Sequence, residues 1–245
     1  GSGRRARASQ AAWNAIWASV AVMPLFAAVA FAGPWMLRPF HLPPDIAQQA
    51  LDYWRPRLLG AALGSMGWAL MSFFNGVGAT RATLGIATLT MLANVPLNEL
   101  LIFRLGSGMA GAAWATNLAQ ASGLLLACGL MLTGRFARDF RTRLTWRPRW
   151  SIVRRQVAVG LPIGVMYGAD LLGIALLQLM IVQVSAADAA ATQVVIMLTS
   201  IAYMPTIGIA TAGTTLVGQA IGAGHRDWAA RVGNVVIALC AALML

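Results

Sequence analysis

Apolar residues run along this chain in long blocks rather than in the alternation of a half-buried strand or the single stripe of an amphipathic helix. Seven blocks are each long enough, at about 20 residues, to cross the hydrocarbon of a bilayer. They fall at about 11–33, 58–78, 82–103, 109–132, 157–184, 190–220 and 232 to the end. They are apolar on all sides and rich in Ala, Leu, Gly and Met, which excludes the short dyad-patterned strands of a membrane barrel. The pattern predicts an all-α, polytopic transmembrane helix bundle.

Composition strengthens this reading, since hydrophobic residues make up 59% of the chain and charged residues 10%. A soluble domain needs more polar surface than that. The net charge of +11 invites a nucleic-acid reading, but every basic residue is Arg and most stand in short connections between apolar blocks. No nucleic-acid partner is expected. If the spans alternate in direction, one side carries Arg4, Arg5, Arg7, Arg81, Arg135, Arg138, Arg141, Arg143, Arg147, Arg149, Arg154, Arg155, Arg226 and Arg231. The other carries Arg38, Arg55, Arg57 and Arg104. The positive-inside rule puts the first group in the cytoplasm, which suits a bacterial inner membrane. Cys128 and Cys240 lie within apolar blocks and act as small hydrophobes, so neither a disulfide nor a metal site is expected.

Gly1-Ser2-Gly3-Arg4-Arg5 is echoed by Gly222-Ala223-Gly224-His225-Arg226, each preceding a new apolar span. An even number of spans between them returns the chain to the same side. This parity suggests two parallel repeats related by an axis along the membrane normal, the plan of a two-lobe twelve-helix carrier with pseudo-twofold repeats. Residues 1–134 then form the C-terminal part of a first lobe with four helices. Residues 135–156 are a basic cytoplasmic inter-lobe linker, and 157–245 begin a second lobe with three helices, the last incomplete. The opening without Met and the stop inside an apolar run at Leu245 read as an internal fragment. In the linker, the arginines with Phe136, Phe140, Trp146 and Trp150 suit either plain positive-inside anchoring, the favoured reading, or contact with an anionic inner leaflet.

Asp170 is the single acid well inside a block, eight residues after Pro162 and near mid-depth. A lone carboxylate there holds a proton, a sodium ion or a cationic substrate one at a time, which is the chemistry of antiport; the structural alternative is a neutral acid bonded to a neighbouring helix. Asn94 and Asn98 share a helix face. Thr116, on the returning helix, is placed at similar depth, so with Pro96 these residues form either a polar pocket or interhelical glue. Gly76-Val77-Gly78 and Gly222-Ala223-Gly224 read as turns and close helix contacts. His41 and His225 read as solvated, and Met166, Met180, Met197 and Met204 as packing, although thioethers suit a promiscuous site. No nucleotide fingerprint, zinc-protease helix or nucleophile elbow points to an enzyme.

FNGVGATR at 74–81, Asn94 through Glu99, GMAGAAWAT at 108–116, GLPIGVMYGAD at 160–170, ATQVV at 191–195 and YMPTIGIATAGTTLVGQAIGAG at 203–224 together resemble the multidrug and toxic compound extrusion (MATE) family. The resemblance covers about the third to ninth of the family's helices. It implies a carrier whose lobes open alternately, exporting cationic or amphipathic small molecules against inward protons or sodium. No cofactor and no obligate protein partner are expected. Asp170 stands where the family usually has Glu, and the resemblance implies cation coupling there and at Asn94, Asn98 and Thr116. It places Gln193, Tyr167, Tyr203 and Met166 at the substrate cavity. Two other readings are carried alongside: a flippase or exporter of a lipid-linked or amphipathic metabolite on a related two-lobe bundle, and a non-transporting membrane scaffold or receptor.

Overall fold

A computed structural model describes residues 5–40 and 43–244, and among these the chain is helical throughout with no strand. The helices are α1 (Arg5–Leu37), α2 (Pro44–Leu59), α3 (Ala61–Gly76), α4 (Thr80–Asn98), α5 (Gly108–Leu132), α6 (Gly134–Asp139), α7 (Trp150–Val184), α8 (Ala186–Ala223) and α9 (Arg226–Met244). Gly1–Arg4, His41, Leu42 and Leu245 lie outside the described residues, and with them all but Arg5 of the first copy of the Gly/Arg echo. Among the described residues, six helices are long and apolar enough to cross a membrane; α2 and α3, which meet at a bend of 44°, make a seventh span if taken as one. The protein is an integral membrane protein, and the large apolar side chains exposed along these helices, such as Leu25, Leu125, Leu171 and Met180, are what a lipid-facing surface requires.

The described residues divide into two compact units, 5–153 and 154–244. In the first, α3 and α5 pack on one another, α1 lies on α3, and α4 lies along α5. Small residues let backbones approach, as expected where lipid removes the hydrophobic drive between helices. Gly123 on α5 is the clearest case, since a Cβ there would collide with the Thr90 hydroxyl of α4. The core at the Arg-rich end joins Ala12, Leu70, Phe73, Phe74, Ile86, Ala127 and Met131. Phe136 and Phe140 of the connection pack edge-on against Phe74 and Phe73, with ring centroids 5.2 and 5.5 Å apart. These two rings therefore serve the core, not the leaflet.

Two departures from the apolar pattern have local causes. Residues 44–59 read as part of an extramembrane connection, yet they form α2, opened by Pro44 at its first turn, where proline's missing N–H is not needed. After Pro96, α4 widens into a π-helical turn at Glu99–Arg104, which absorbs the backbone disturbance near a proline. At the other end, the FNGVGATR turn closes through Ala79 N–H to the Phe74 carbonyl at 2.8 Å, with Gly78 left-handed at φ 79°. Asn75 Oδ1 accepts from the Thr83 hydroxyl at 2.8 Å across that turn.

In the second unit α8 and α9 are the main packed pair. Gly213 faces the Val236 side chain so closely that a Cβ would meet it at 2.6 Å. The Cys240 thiol lies 3.9 Å from the Thr206 carbonyl across the same contact.

Candidate functional site

The residues that the sequence marks as candidate site groups fall in two places. The first is a cavity of about 450 Å³ between α3, α4 and α5. Its wall is mostly apolar, with Trp68, Met71 and Met91 prominent, and its polar groups are Thr90 and Asn94 from α4 and Thr116 and Gln120 from α5. Each pair is spaced i, i+4, so each helix offers one polar stripe to the same space. The structure thus brings Asn94 and Thr116 to one cavity. Asn98 does not line it; its amide donates to Asn94 Oδ1 at 2.8 Å and holds that oxygen from one turn further along. The Thr116 hydroxyl donates to the Ala112 carbonyl at 3.0 Å and Thr90 likewise to Ile86 at 2.9 Å, which leaves their oxygen lone pairs available.

Three residues unmarked by the sequence reading organise one end of this region. Asn117, buried on α5, donates to the Pro56 carbonyl at 2.6 Å and accepts from Arg57 Nη1 at 3.3 Å. Arg57 also reaches Gln120 Oε1 at 3.4 Å, so a half-buried guanidinium stands one residue away from the cavity wall. Its only acceptors among these contacts are neutral amides. For Thr90 and Gln120 the signal was present in the sequence: Thr90 precedes Asn94, and Gln120 follows Thr116, by one helical turn each, which marks both as members of the same faces.

The second place is on α7 and α8. Pro162 lies inside α7 and the helix continues through it. Asp170 is exposed on this helix and makes no hydrogen bond or ion pair among the described residues. Tyr167 and Met166, at 61% and 55% exposure, lie on the turn before it. Gln193 of α8 accepts a hydrogen bond from Gln178 of α7 at 3.2 Å. That amide pair links the two helices two turns beyond Asp170, so the structure joins Gln193 to α7 but not to Asp170 itself. Tyr203 is exposed farther along α8. An unpartnered carboxylate on an apolar helix is costly when ionised and away from water. Binding a cation, a proton or a cationic group relieves that cost.

Comparison with known proteins follows the same segments. The MatE family model matches residues 1–100 and 162–245, which include Asn94, Asn98, Asp170, Gln193 and Tyr203 and leave out Thr116 and the arginine-rich connection. Among curated proteins the chain is similar to "Probable multidrug resistance protein NorM" of Thermotoga maritima, 28% identical over 238 residues, covering 93% of this chain and 50% of that protein. It is also similar to "Probable multidrug resistance protein NorM" of Chromobacterium violaceum, 27% identical over 189 residues, covering 75% of this chain and 41% of that one. The chain therefore spans half or less of the length of these relatives.

Proposed function

We propose, from the premise that this chain belongs to the MatE family, that the whole protein is a secondary active multidrug exporter driven by proton or sodium antiport, with Asp170 as its exchange site in the second lobe. The observation that carries this reading is the bare Asp170 carboxylate on the apolar α7, eight residues past Pro162, with no partner among the described residues. The NorM names of the two relatives support drug efflux as the task.

In this mechanism an outward-facing carrier takes a proton or sodium ion at Asp170, which removes the counter-charge that held a cationic drug, and the drug leaves. The inward-facing carrier releases the ion to the cytoplasm, and the freed carboxylate captures the next drug. Mutually exclusive occupancy couples the two gradients. Gln193, Tyr167, Tyr203 and Met166 supply the amphipathic wall of the substrate path. Asn94 and Thr116, joined by Thr90 and Gln120 and steadied by Asn98, form the polar wall of the first-lobe cavity. In this reading residues 1–134 belong to the first lobe, 135–156 link the lobes in the cytoplasm, 157–245 belong to the second, and the membrane is a bacterial inner membrane.

The test is dye efflux by the full-length parent protein in energised vesicles, with proton and sodium gradients imposed separately. Asp170→Asn is expected to reduce gradient-driven efflux to that of vesicles lacking the protein while insertion is unchanged. Undiminished efflux in a well-inserted Asp170→Asn protein would remove Asp170 from the mechanism.

A further inference from the structure

The arginine-rich connection between α5 and α7 is held in a defined shape along the start of α1. Trp13 Nε1 donates to the Thr142 carbonyl at 2.8 Å, and Trp17 Nε1 donates to the Trp146 carbonyl at 2.7 Å. Asn14, fully buried, accepts from the Arg149 backbone N–H at 2.8 Å. Ser9 Oγ bonds to the Phe140 carbonyl and to Thr145 Oγ1, both at 2.8 Å. From below, Thr142 donates its hydroxyl to the Met131 carbonyl at 2.7 Å and is itself fully buried. Arg141 adopts the left-handed backbone, φ 50°, where the connection turns.

This fastening sorts the side chains. Phe136 and Phe140 turn inward to the core, whereas Leu144 and Trp150, each 78% exposed, and Trp146 turn outward among Arg141, Arg143, Arg147 and Arg149, all exposed. Charge compensation is missing here. The one acid of the connection, Asp139, is engaged by Arg135 at 3.2 Å, and no ion pair involving the other four arginines occurs among the described residues. Arg147 instead lies 5.9 Å from the Trp146 ring centroid, a cation–π arrangement that holds the guanidinium beside an apolar surface.

Depth places this surface. From Trp17 to Leu37, α1 rises about 30 Å at about 1.5 Å per residue, which matches the thickness of bilayer hydrocarbon. With the hydrocarbon set on that stretch, the bonded Trp17 and Trp146 stand at its boundary, where indole rings settle, and the four arginines stand at headgroup level. Guanidinium forks match phosphate oxygens two at a time. We infer that the connection 140–150, held against α1, is a preformed docking surface for anionic phospholipid headgroups, with Leu144, Trp146 and Trp150 entering the acyl boundary and Arg147 and Arg149 binding the phosphates. That the headgroups belong to the cytoplasmic leaflet rests on the orientation proposed above; the surface itself does not.

The experiment uses the full-length protein, purified in mild detergent and stripped of lipid, titrated at low salt with phosphatidylglycerol or with phosphatidylcholine of the same chains, bound lipid being counted by native mass spectrometry. Phosphatidylglycerol is expected to bind at least tenfold more tightly. Replacing Arg147 and Arg149 together by Gln lowers its affinity roughly 25-fold, about fivefold for each arginine at an anionic surface, without changing phosphatidylcholine binding. Trp17→Phe, which keeps every charge but removes one fastening bond, lowers it several-fold. Equal binding of the two lipids by the parent protein, or an equal loss from Arg38→Gln at the opposite end of α1, would overturn the assignment, and an unchanged affinity in Trp17→Phe would overturn the preformed shape. Because binding is read in detergent, its failure is separate from any failure of efflux or of orientation.

Discussion

Gly60, at the bend between α2 and α3, shows how a single atom is constrained in this protein. Its backbone is ordinary right-handed helix, φ −87° and ψ −3°, so alanine is conformationally acceptable there. Space is what forbids it: a Cβ would lie on the Asn117 side chain, which must stay where it is to donate to the Pro56 carbonyl and accept from Arg57. Gly60→Ala is expected to destabilise the protein by about 1–3 kcal/mol, the usual cost of overpacking. Gly67 on α3, where a Cβ meets nothing within 4 Å, gives the contrast, and Gly67→Ala is expected to be neutral or to stabilise by up to about 1 kcal/mol. Thermal unfolding of the two variants in the same detergent checks this, and equal melting temperatures would contradict it. The same scale explains what was readable of the candidate site. Asn94 and Thr116 are visible because polar residues inside apolar runs stand out, and the cavity indeed holds both. Asn117 and Arg57 were not legible, because their importance lies in a contact between residues 60 positions apart that no periodicity encodes.

At the level of elements, hydropathy located the long helices well, since a span announces itself by being apolar all round. It passed over α2, whose sequence PDIAQQALDYWRPRLL is polar enough to resemble a surface connection; only its packing against α1 and α5 makes it part of the bundle. Nor does hydropathy distinguish a loose connection from a fastened one. The segment 140–149 has the composition of a loop, yet three of its carbonyls and one amide are taken up by Trp13, Asn14, Trp17 and Ser9. A buried Asn on α1 was the available hint, since such a group needs partners. The fastening has a measurable consequence at Arg141, Arg143 and Arg149, which are trypsin sites, whereas Arg147 is protected by Pro148. Cleavage requires the segment to lift off α1, so its rate follows the free energy of that local opening when reclosing is fast. Asn14→Ala deprives the Arg149 N–H of its buried acceptor, a loss of about 1–3 kcal/mol, and is expected to speed cleavage between residues 141 and 149 by roughly 5- to 150-fold. Trp13→Phe, with one neutral bond removed at about 1 kcal/mol, should speed it by roughly fivefold. Identical cleavage rates in parent and variants would mean that the connection is not held by these bonds.

For the whole molecule the open physical question is how many times the chain crosses the bilayer, and the bend between α2 and α3 decides it. Taken singly, α3 has only 16 residues, or about 24 Å at about 1.5 Å per residue, short of the roughly 30 Å of hydrocarbon. Together with α2 it is long enough to cross despite the bend of 44°. If the pair is one span, the connections at residues 45 and 79 lie on opposite sides, and the Arg-rich ends of α1, α4, α7 and α9 all share one side. If it is re-entrant, residues 45 and 79 lie on the same side, and the arginines of α1 are separated from those of the later connections. The positive-inside rule favours the first arrangement, because the second mixes arginine-rich and arginine-poor connections on both faces. Single cysteines introduced at Asp45, Ala79, Ser107 and Asp227, in full-length protein with Cys128 and Cys240 replaced by Ala, separate these cases in intact cells. An impermeant maleimide is expected to label positions 45 and 107 directly, and positions 79 and 227 only after permeabilisation. The opposite pattern would invert the orientation while preserving seven spans. Equal accessibility at 45 and 79 would make α2–α3 a re-entrant pair, and the parity that relates the two halves as parallel repeats would fail with it.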